Sequence, residues 1–311
     1  MDTYVGNGAY CYANSTAMLL ASIGERVSPS YIEALTGVGF GAVWDEAEKV
    51  AWFNGKLTPD EGIDHALKLL GFTAAGNSPS ADERTSIEVL EEEIWKGPVI
   101  LGPLDMGMLT YHPNHPHLSG CDHYIIAYAL DEQYLYLHDP AGFPHVRLPI
   151  QSLCEAWKAD KVRWKRSKPY QMWSRPERIN SPSEYETAQN AVNYYKTLYV
   201  ETIEWAAQNN KSVNAEAIRT FSHFVGKKDV TPGGVGNMKY FLFQLGARRA
   251  IDTADFLKNY EPALTKIKAQ QARIFGACHT LAVQEDWSSL SKALTGLAIL
   301  EEQMIETLLT K

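Results

Sequence analysis

The sequence lacks several features that would fix its class at once. It has 311 residues and four cysteines (Cys11, Cys121, Cys154 and Cys278), none in Cys-x-x-Cys spacing. Four is low for a disulfide framework, and this spacing does not fit a four-cysteine zinc site. No uncharged apolar run approaches the ~18 residues that a membrane span needs. The first residues resemble no secretory signal, so we expect a cytoplasmic protein with reduced thiols and no membrane partner.

Positive charge is also scarce. The chain has 29 Lys and Arg against 37 Asp and Glu, a formal net charge of −8, which argues against nucleic acid as the main partner. Residues 1–165 carry 22 acidic and 11 basic side chains, so that region has a net charge of −11 and the rest has +3. An acidic cleft for a cationic substrate would explain this asymmetry, and so would two solvated surfaces of different average charge.

The first half of the chain shows the pattern of a mixed α and β domain. Good helix formers follow Cys11 up to Gly24, and Thr58-Pro-Asp-Glu61 is a capping box that predicts a helix to Gly71. A short apolar run follows at Pro98–Leu101, and strand patterns come later, at His123–Leu130, Tyr134–Leu137, Val146–Leu148 and Val162–Trp164. Helices followed by a mostly antiparallel sheet indicate an α+β fold.

The second half predicts helices only. Residues 169–183 are polar and contain three prolines, so we interpret them as a linker between a domain at 1–168 and one at 184–311. The predicted helices are Tyr185–Gln208, Asn214–Val225, Val235–Asn259, Pro262–Gln284 and Trp287–Leu309, with a loop at Thr231–Gly236. No fixed-period repeat is present. This half is therefore predicted to form an all-helical bundle.

Cys11 is the candidate nucleophile. It follows a Gly-Asn-Gly segment and begins a predicted helix. The thiolate is the reactive form of cysteine, and the N–H groups and dipole of a helix N-terminus stabilise that anion. The backbone N–H of Cys11 would also supply half of an oxyanion hole. A small buried apolar cysteine is the alternative interpretation.

His123 and Asp139 are the candidate base and its orienting group. They flank two strands of a predicted hairpin, so their side chains should come close across the ladder. A nucleophilic cysteine needs such a base, and the base needs an orienting partner. His138 is an alternative base, although alternation along the strand points it to the other face. Asp139 is also compatible with capping the Asp-Pro turn.

These residues and their context resemble a known superfamily. Cys11 on the first helix, the segment Cys121–Tyr128 (CDHYIIAY) and the segment Tyr136–Pro140 (YLHDP) resemble papain-like cysteine peptidases, most closely the bacteriocin-leader peptidases. Cys11–Gly24 followed by Ser28–Gly41 (SPSYIEALTGVGFG) is similar to the amino-terminal region of the butirosin biosynthesis protein H family. Two later segments, Ala247–Ala250 and Ala254–Leu257, are similar to the helical carboxy-terminal half of that family.

This resemblance implies a fold and a reaction. The fold is a papain-like cysteine peptidase domain with an all-helical C-terminal domain. The reaction is acyl transfer through a Cys11 acyl-enzyme, from a carrier-protein or CoA-type thioester to a small amine, with no cofactor. His123 would act as base, and Asp139 would hold its tautomer. Papain-like enzymes usually carry a glutamine several residues before the cysteine, whereas Val5 is found here, which leaves Asn7 as the candidate oxyanion donor.

Other residues are candidates for binding. Gly39 and Phe40, in a glycine-rich segment, and Asp122 and Tyr124, beside the predicted base, are substrate-binding candidates. The histidines His112, His115 and His117 are interpreted as a solvated loop, so no metal site is predicted. Lys239, Arg248 and Arg249 would suit an acidic carrier protein, although a solvated helix face is the simpler interpretation.

Two further functional hypotheses remain open. The same three residues would serve a cysteine peptidase or amidase, in which water replaces the amine. A non-catalytic binding module on the same fold is the hypothesis from another class, and it predicts an unreactive Cys11. The sequence does not indicate the oligomeric state.

Overall fold

The structure, a computed structural model, describes residues 6, 10–75, 82–162 and 169–310. Its helices are α1 (Cys11–Ala21), α2 (Pro29–Thr36), α3 (Pro59–Leu69), α4 (Glu83–Lys96), α5 (Ile150–Lys158), α6 (Glu184–Asn209), α7 (Asn214–Gly226), α8 (Pro232–Asn237), α9 (Phe243–Leu257), α10 (Pro262–Val283) and α11 (Trp287–Leu309). Its strands are β1 (Val43–Asp45), β2 (Val50–Trp52), β3 (Phe72–Ala75), β4 (Val99–Asp105), β5 (Asp122–Leu130), β6 (Tyr134–Asp139), β7 (Phe143–Pro149) and β8 (Met172–Arg178).

The chain divides into two compact units that differ from the predicted domains. Unit 1 comprises Met1–Ile32 and Thr58–Ser181, and unit 2 comprises Glu33–Leu57 and Pro182–Lys311. The predicted domain at 1–168 is therefore interrupted, because residues 33–57 belong with the helical half. Sequence patterns identify helices and strands but do not show which of them share a core. The sequence therefore did not predict that residues 33–57 belong to unit 2.

Unit 1 is built on a six-stranded sheet of order β3-β8-β4-β5-β6-β7, and its neighbouring strands pair antiparallel. The α+β character of this half is confirmed. β5 and β6 form the predicted hairpin, with Ile126 opposite His138 and Leu130 opposite Leu135. Apolar residues on β4, β5 and β6 pack with Leu153 and Trp157 of α5 in the core of this unit, which fixes the register of the hairpin.

The predicted linker at 169–183 is wrong, because β8 lies within it. β8 pairs with β3 along most of its length and with β4 only near Met172 and Trp173. Pro176 lies in the half of β8 that pairs with β3 alone, a position where proline is tolerated because one side needs no ladder donor. Met172, Trp173 and Ser174 are buried. Residues 169–183 contain three prolines and several charged residues, so their sequence shows no strand pattern.

Two smaller predictions in unit 1 have mixed outcomes. The capping box at Thr58 and Glu61 begins α3 as predicted. The helix α4 is capped by the Asp82 side chain, which accepts a hydrogen bond from the Thr85 backbone N–H. Of the strand predicted at 162–164, only Val162 is described, and it is not in a strand.

Unit 2 is mainly helical, as predicted, with one unforeseen hairpin. The helices predicted at 185–208, 214–225, 262–284 and 287–309 are found within a few residues of those bounds. The predicted loop at Thr231 is instead the short helix α8, capped by the Thr231 hydroxyl, and a π-helical turn at Met238–Leu242 precedes α9. The β1–β2 hairpin places Trp44, Val50 and Phe53 in the core of this unit.

No helix in the described part of the chain is long and apolar enough for a membrane crossing.

Candidate active site

Cys11 is the first residue of α1, as predicted. Tyr10, the residue before it, has left-handed backbone angles (φ 58°, ψ 52°) and is buried. The Tyr10 carbonyl accepts hydrogen bonds from the backbone and side-chain nitrogens of Asn14. Nearly all of α1 is buried, whereas Cys11 is partly accessible. A buried helix therefore holds Cys11 at its N-terminus, where backbone N–H groups have no partners within the helix.

The His123 and Asp139 side chains are in contact, as the sequence predicted from the hairpin. His123 is the second residue of β5 and Asp139 is the last residue of β6. The His123 Nε2 atom lies 2.6 Å from the Asp139 Oδ1 atom. His123 is 5% exposed and Asp139 is 0% exposed. Water is excluded from this contact, so the interaction of a charged pair is strong there.

Cys11 interacts with the same histidine. A hydrogen bond joins the Cys11 side chain to the His123 ring. Because Nε2 is occupied by Asp139, Nδ1 is the ring nitrogen left for the sulfur. Nucleophile, base and orienting carboxylate are thus connected in the order that acyl-transfer chemistry needs.

The electrostatics of the site favour a charged His123. Burial alone lowers the pKa of His123, but the Asp139 carboxylate and the Cys11 sulfur outweigh it and raise that pKa well above 6.5. Burial likewise opposes the Asp139 carboxylate, while His123, the Ala141 amide and Tyr111 hold the pKa of Asp139 below 3.8. A charged imidazole beside an ionised Asp139 carboxylate is therefore the favoured state of this buried pair.

Tyr111 is a site residue that sequence analysis missed. Its hydroxyl donates a hydrogen bond to Asp139 Oδ2 at 2.8 Å, while the Ala141 amide donates to Oδ1 at 2.7 Å. Burial and the charge of Asp139 raise the pKa of Tyr111 well above 10.0, so it remains a neutral donor. It lies in the segment between β4 and β5, where no local pattern marks it, and only the tertiary fold brings it to Asp139.

The residues beside His123 have different positions. Tyr124 is 0% exposed and packs edge-on against Tyr12 of α1. It is a core residue, because alternation along β5 turns it away from the face that carries His123. The prediction that Tyr124 binds substrate is therefore wrong. Asp122 is partly exposed at the start of β5, and a binding role for it stays a prediction.

Gly39 and Phe40 belong to unit 2. Phe40 is 3% exposed and stacks on Tyr195 of α6, with ring centroids 3.9 Å apart. A Cβ atom at Gly39 would lie 3.1 Å from the Arg249 side chain. Close packing therefore explains glycine at this position, and Phe40 is a core residue, contrary to the prediction that it binds substrate.

The remaining candidates are placed as follows. Asn7 lies outside the described residues, so its predicted oxyanion role stays a prediction. His138 is fully buried and its Nδ1 accepts the His145 amide, so it does not serve as the base. The predicted solvated face at Arg249 is wrong, because this side chain is only 11% exposed and pairs with Glu33 at 2.7 Å.

The histidine loop and the other cysteines have structural surroundings. His112 Nδ1 accepts the Asn114 amide, and His115 Nδ1 lies 3.0 Å from the Gly107 carbonyl. Burial raises the pKa of Cys154 to about 11 and that of Cys278 to about 12. These two thiols are inert near neutral pH.

Comparison with known sequences identifies the family. Residues 208–309 match the family described as the YobF C-terminal domain. The protein YobF of Bacillus subtilis (strain 168) is 41% identical over 304 residues, which cover 97% of this chain and 96% of that protein. The similarity thus extends beyond the matched domain and through unit 1. The chain belongs to the YobF family.

Proposed function

We propose that this protein is a cysteine-dependent acyltransferase with a papain-like catalytic unit, which moves an acyl group from a thioester to a small amine. The observation that carries the proposal is the chain of contacts from Cys11 through His123 to Asp139, with 2.6 Å between the last two. Carrier-protein or CoA thioesters are the donors that the sequence resemblance implies, and the acidic composition of residues 1–165 suits a cationic amine.

The proposed reaction has two balanced steps. The Cys11 thiolate attacks the thioester carbonyl, and the donor thiol leaves with the proton of the His123 imidazolium. The resulting acyl-enzyme has a neutral His123, which accepts a proton from the amine as the amine attacks. Departure of the Cys11 thiolate then releases the amide and restores the ion pair. Asp139 holds the ring and stabilises its charged form throughout.

The lack of a glutamine as second oxyanion donor favours a thioester over a peptide as the acyl donor. The glutamine that papain-like enzymes use as second oxyanion donor has no counterpart at Val5. A thioester carbonyl is more reactive than an amide, so it needs less stabilisation of its tetrahedral intermediate. Water in place of the amine would make the same site an amidase or peptidase.

The first test is alkylation of the native protein with iodoacetamide at pH 6, followed for each cysteine by mass spectrometry. An ion-paired Cys11 should react about tenfold or more faster than the exposed Cys121, because little of an ordinary thiol is ionised at that pH. His123→Ala should remove this advantage. The matched change His117→Ala, at an exposed histidine in the 3-10 turn His115–His117, should not.

The second test uses acetyl-N-acetylcysteamine as a simple thioester. Intact-mass analysis should show one acetyl group on Cys11, and added spermidine should release it as an amide. Release to water at the same rate with and without spermidine would indicate a hydrolase. A Cys11 as inert as Cys154 in the alkylation test would contradict catalysis and favour a binding module.

A further inference from the structure

The peptide bond that joins Tyr10 to Cys11 is held through its carbonyl. This carbonyl accepts two hydrogen bonds from Asn14, one from the backbone N–H at 2.8 Å and one from the side-chain Nδ2 atom at 2.9 Å. The N–H of the same peptide unit, on Cys11, has no acceptor among the described residues. Asn14 is 1% exposed, so water does not compete for its contact with Tyr10.

The geometry of a peptide unit links these two ends. A trans peptide is planar, so its carbonyl and its N–H point in opposite directions. The Tyr10 carbonyl points along α1 toward Asn14, one turn further along the helix. The Cys11 N–H therefore points out of the N-terminal end of α1, the end where the partly accessible Cys11 side chain lies. A contact that fixes the carbonyl also fixes the direction of this N–H.

The side-chain bond from Asn14 acts where the regular helix ends. The backbone bond from Asn14 is the ordinary bond of a helix, whereas the Nδ2 bond is additional. Tyr10 has left-handed backbone angles (φ 58°, ψ 52°), which are unfavourable for a residue that has a Cβ atom. Such a conformation persists only where the surrounding contacts hold it. The Asn14 side chain supplies one of those contacts.

The direction of the Cys11 N–H matters for acyl transfer. Attack of the sulfur on a thioester carbonyl places negative charge on the carbonyl oxygen, and an N–H aimed at that oxygen stabilises the charge. We propose that Asn14 is a positioning residue, which orients the Cys11 N–H toward this oxygen by holding the Tyr10 carbonyl. The inference rests on the proposed acyl transfer. In it, Asn14 acts through the peptide bond and not on the substrate.

The same helix shows which substitution would preserve the bond. The Thr16 hydroxyl donates to the Tyr12 carbonyl at 2.8 Å, which is the same one-turn contact made by a different side chain. Asn14→Thr should therefore keep a donor to the Tyr10 carbonyl. Asn14→Val has nearly the same shape as Asn14→Thr but lacks the hydroxyl. The two variants lose the amide group alike, so a difference between them reports the donor alone.

Two rates measured on the full-length protein test the proposal. Transfer of the acetyl group from acetyl-N-acetylcysteamine to Cys11, followed by intact mass, passes through an oxyanion, whereas alkylation by iodoacetamide at pH 6 does not. Asn14→Val should slow the acetylation about tenfold, since complete loss of an oxyanion donor costs roughly 100- to 1000-fold and a misdirected donor costs less. Its alkylation rate should stay near that of the wild type. Asn14→Thr should recover most of the acetylation rate.

Thr16→Val is the matched control. It removes the corresponding hydroxyl bond from the peptide between Tyr12 and Ala13, which lies inside α1 rather than at its N-terminal end. Thr16 is as buried as Asn14, so the two changes to valine disturb the packing of the helix to a similar extent. The acetylation and alkylation rates of Thr16→Val should both stay near those of the wild type.

Each other outcome has a definite meaning. Equal acetylation of the wild type and of a folded Asn14→Val protein overturns the inference and leaves the acyltransferase proposal intact. A parallel fall of both rates in Asn14→Val, or an equal fall of acetylation in Asn14→Thr, also overturns it, because the role is then structural or does not depend on a donor. A wild type that is alkylated but not acetylated contradicts the acyltransferase proposal, and the inference falls with it. If circular dichroism shows that Asn14→Val does not fold, Asn14→Ala takes its place under the same criteria.

Discussion

At the scale of single residues, Asp139 is the most constrained group of the site. Its two oxygens accept hydrogen bonds from His123, the Ala141 amide and the Tyr111 hydroxyl. A fully buried carboxylate with so many donors has little rotational freedom. The orientation of the His123 ring is therefore set by groups that do not touch the sulfur, and Tyr111 acts as a positioning residue.

Tyr111→Phe should slow the alkylation of Cys11 at pH 6 by several-fold. The change removes one donor to Asp139, so the carboxylate spends less time in the orientation that holds His123. A charge-assisted hydrogen bond contributes about 1.5–3 kcal/mol, and part of this should appear as lower stability. Alkylation rates and urea midpoints should be measured together.

Tyr128→Phe is the matched control, because the Tyr128 hydroxyl contacts His145 and not Asp139. It should leave the Cys11 rate unchanged. If Tyr111→Phe lowers stability but leaves the rate and its pH profile as in the wild type, Tyr111 is structural only.

At the scale of elements, Glu93 joins α4 to β8. Its carboxylate accepts the Ser174 hydroxyl at 2.5 Å and Arg175 Nε at 2.8 Å, and its other oxygen pairs with Lys96 at 2.9 Å. Burial alone would raise the pKa of Glu93, but the bonds from Arg175, Ser174 and Lys96 lower it to about 2. A strand that sequence patterns did not reveal is thus fixed to a helix by one acidic side chain.

The pH dependence of stability should report this contact. A depressed folded-state pKa adds stability that is complete above the unfolded value of 4.5 and is lost as the pH falls through about 2. Glu93→Gln should lower the free energy of unfolding by about 1–2 kcal/mol at pH 7. This value is modest because Lys96 and Arg175 are partly exposed. The cost should shrink toward pH 2 in urea titrations.

Glu92→Gln, at an exposed neighbouring position on α4, should change stability little at either pH. If Glu93→Gln lowers the free energy of unfolding by the same amount at pH 7 and at pH 2, packing rather than charge stabilises this contact.

Elements with strong local signals could be predicted, and the others could not. The β5–β6 hairpin and the α3 capping box follow from residue types and spacing, and the hairpin in turn predicted the contact of His123 with Asp139. β8 and the contact of Tyr111 with Asp139 depend on which distant segments pack together. Lys268 of α10 likewise looks like an exposed helical lysine until the fold buries it. Local pattern carries no information about such tertiary partners.

At the scale of the whole molecule, unit 2 is discontinuous in sequence. Its core combines Trp44, Val50 and Phe53, from the segment Glu33–Leu57, with residues of the carboxy-terminal helices. The matched family region, 208–309, contains only the later part of this core.

A fragment of residues 182–311 should therefore fail to fold stably on its own. Each large apolar side chain missing from a core removes about 1.5–3 kcal/mol of burial, and three such losses approach the total stability of a domain. We expect a poorly cooperative thermal transition by circular dichroism and strong binding of a hydrophobic dye.

Fusing residues 33–57 to the fragment through a flexible linker should restore a sharp transition. The same fusion with Trp44→Ser, Val50→Ser and Phe53→Ser together should not. A cooperative transition in the bare fragment would show that the later helices form an independent core.

The division of unit 2 along the chain also has a consequence for its biosynthesis. Residues 33–57 leave the ribosome early, whereas α11, which completes the core around them, is made about 250 residues later. At ~5–20 residues per second, Trp44, Val50 and Phe53 wait roughly 12–50 s for their final partners. We therefore expect this early apolar segment to be exposed during translation and to be a site where a chaperone binds the nascent chain.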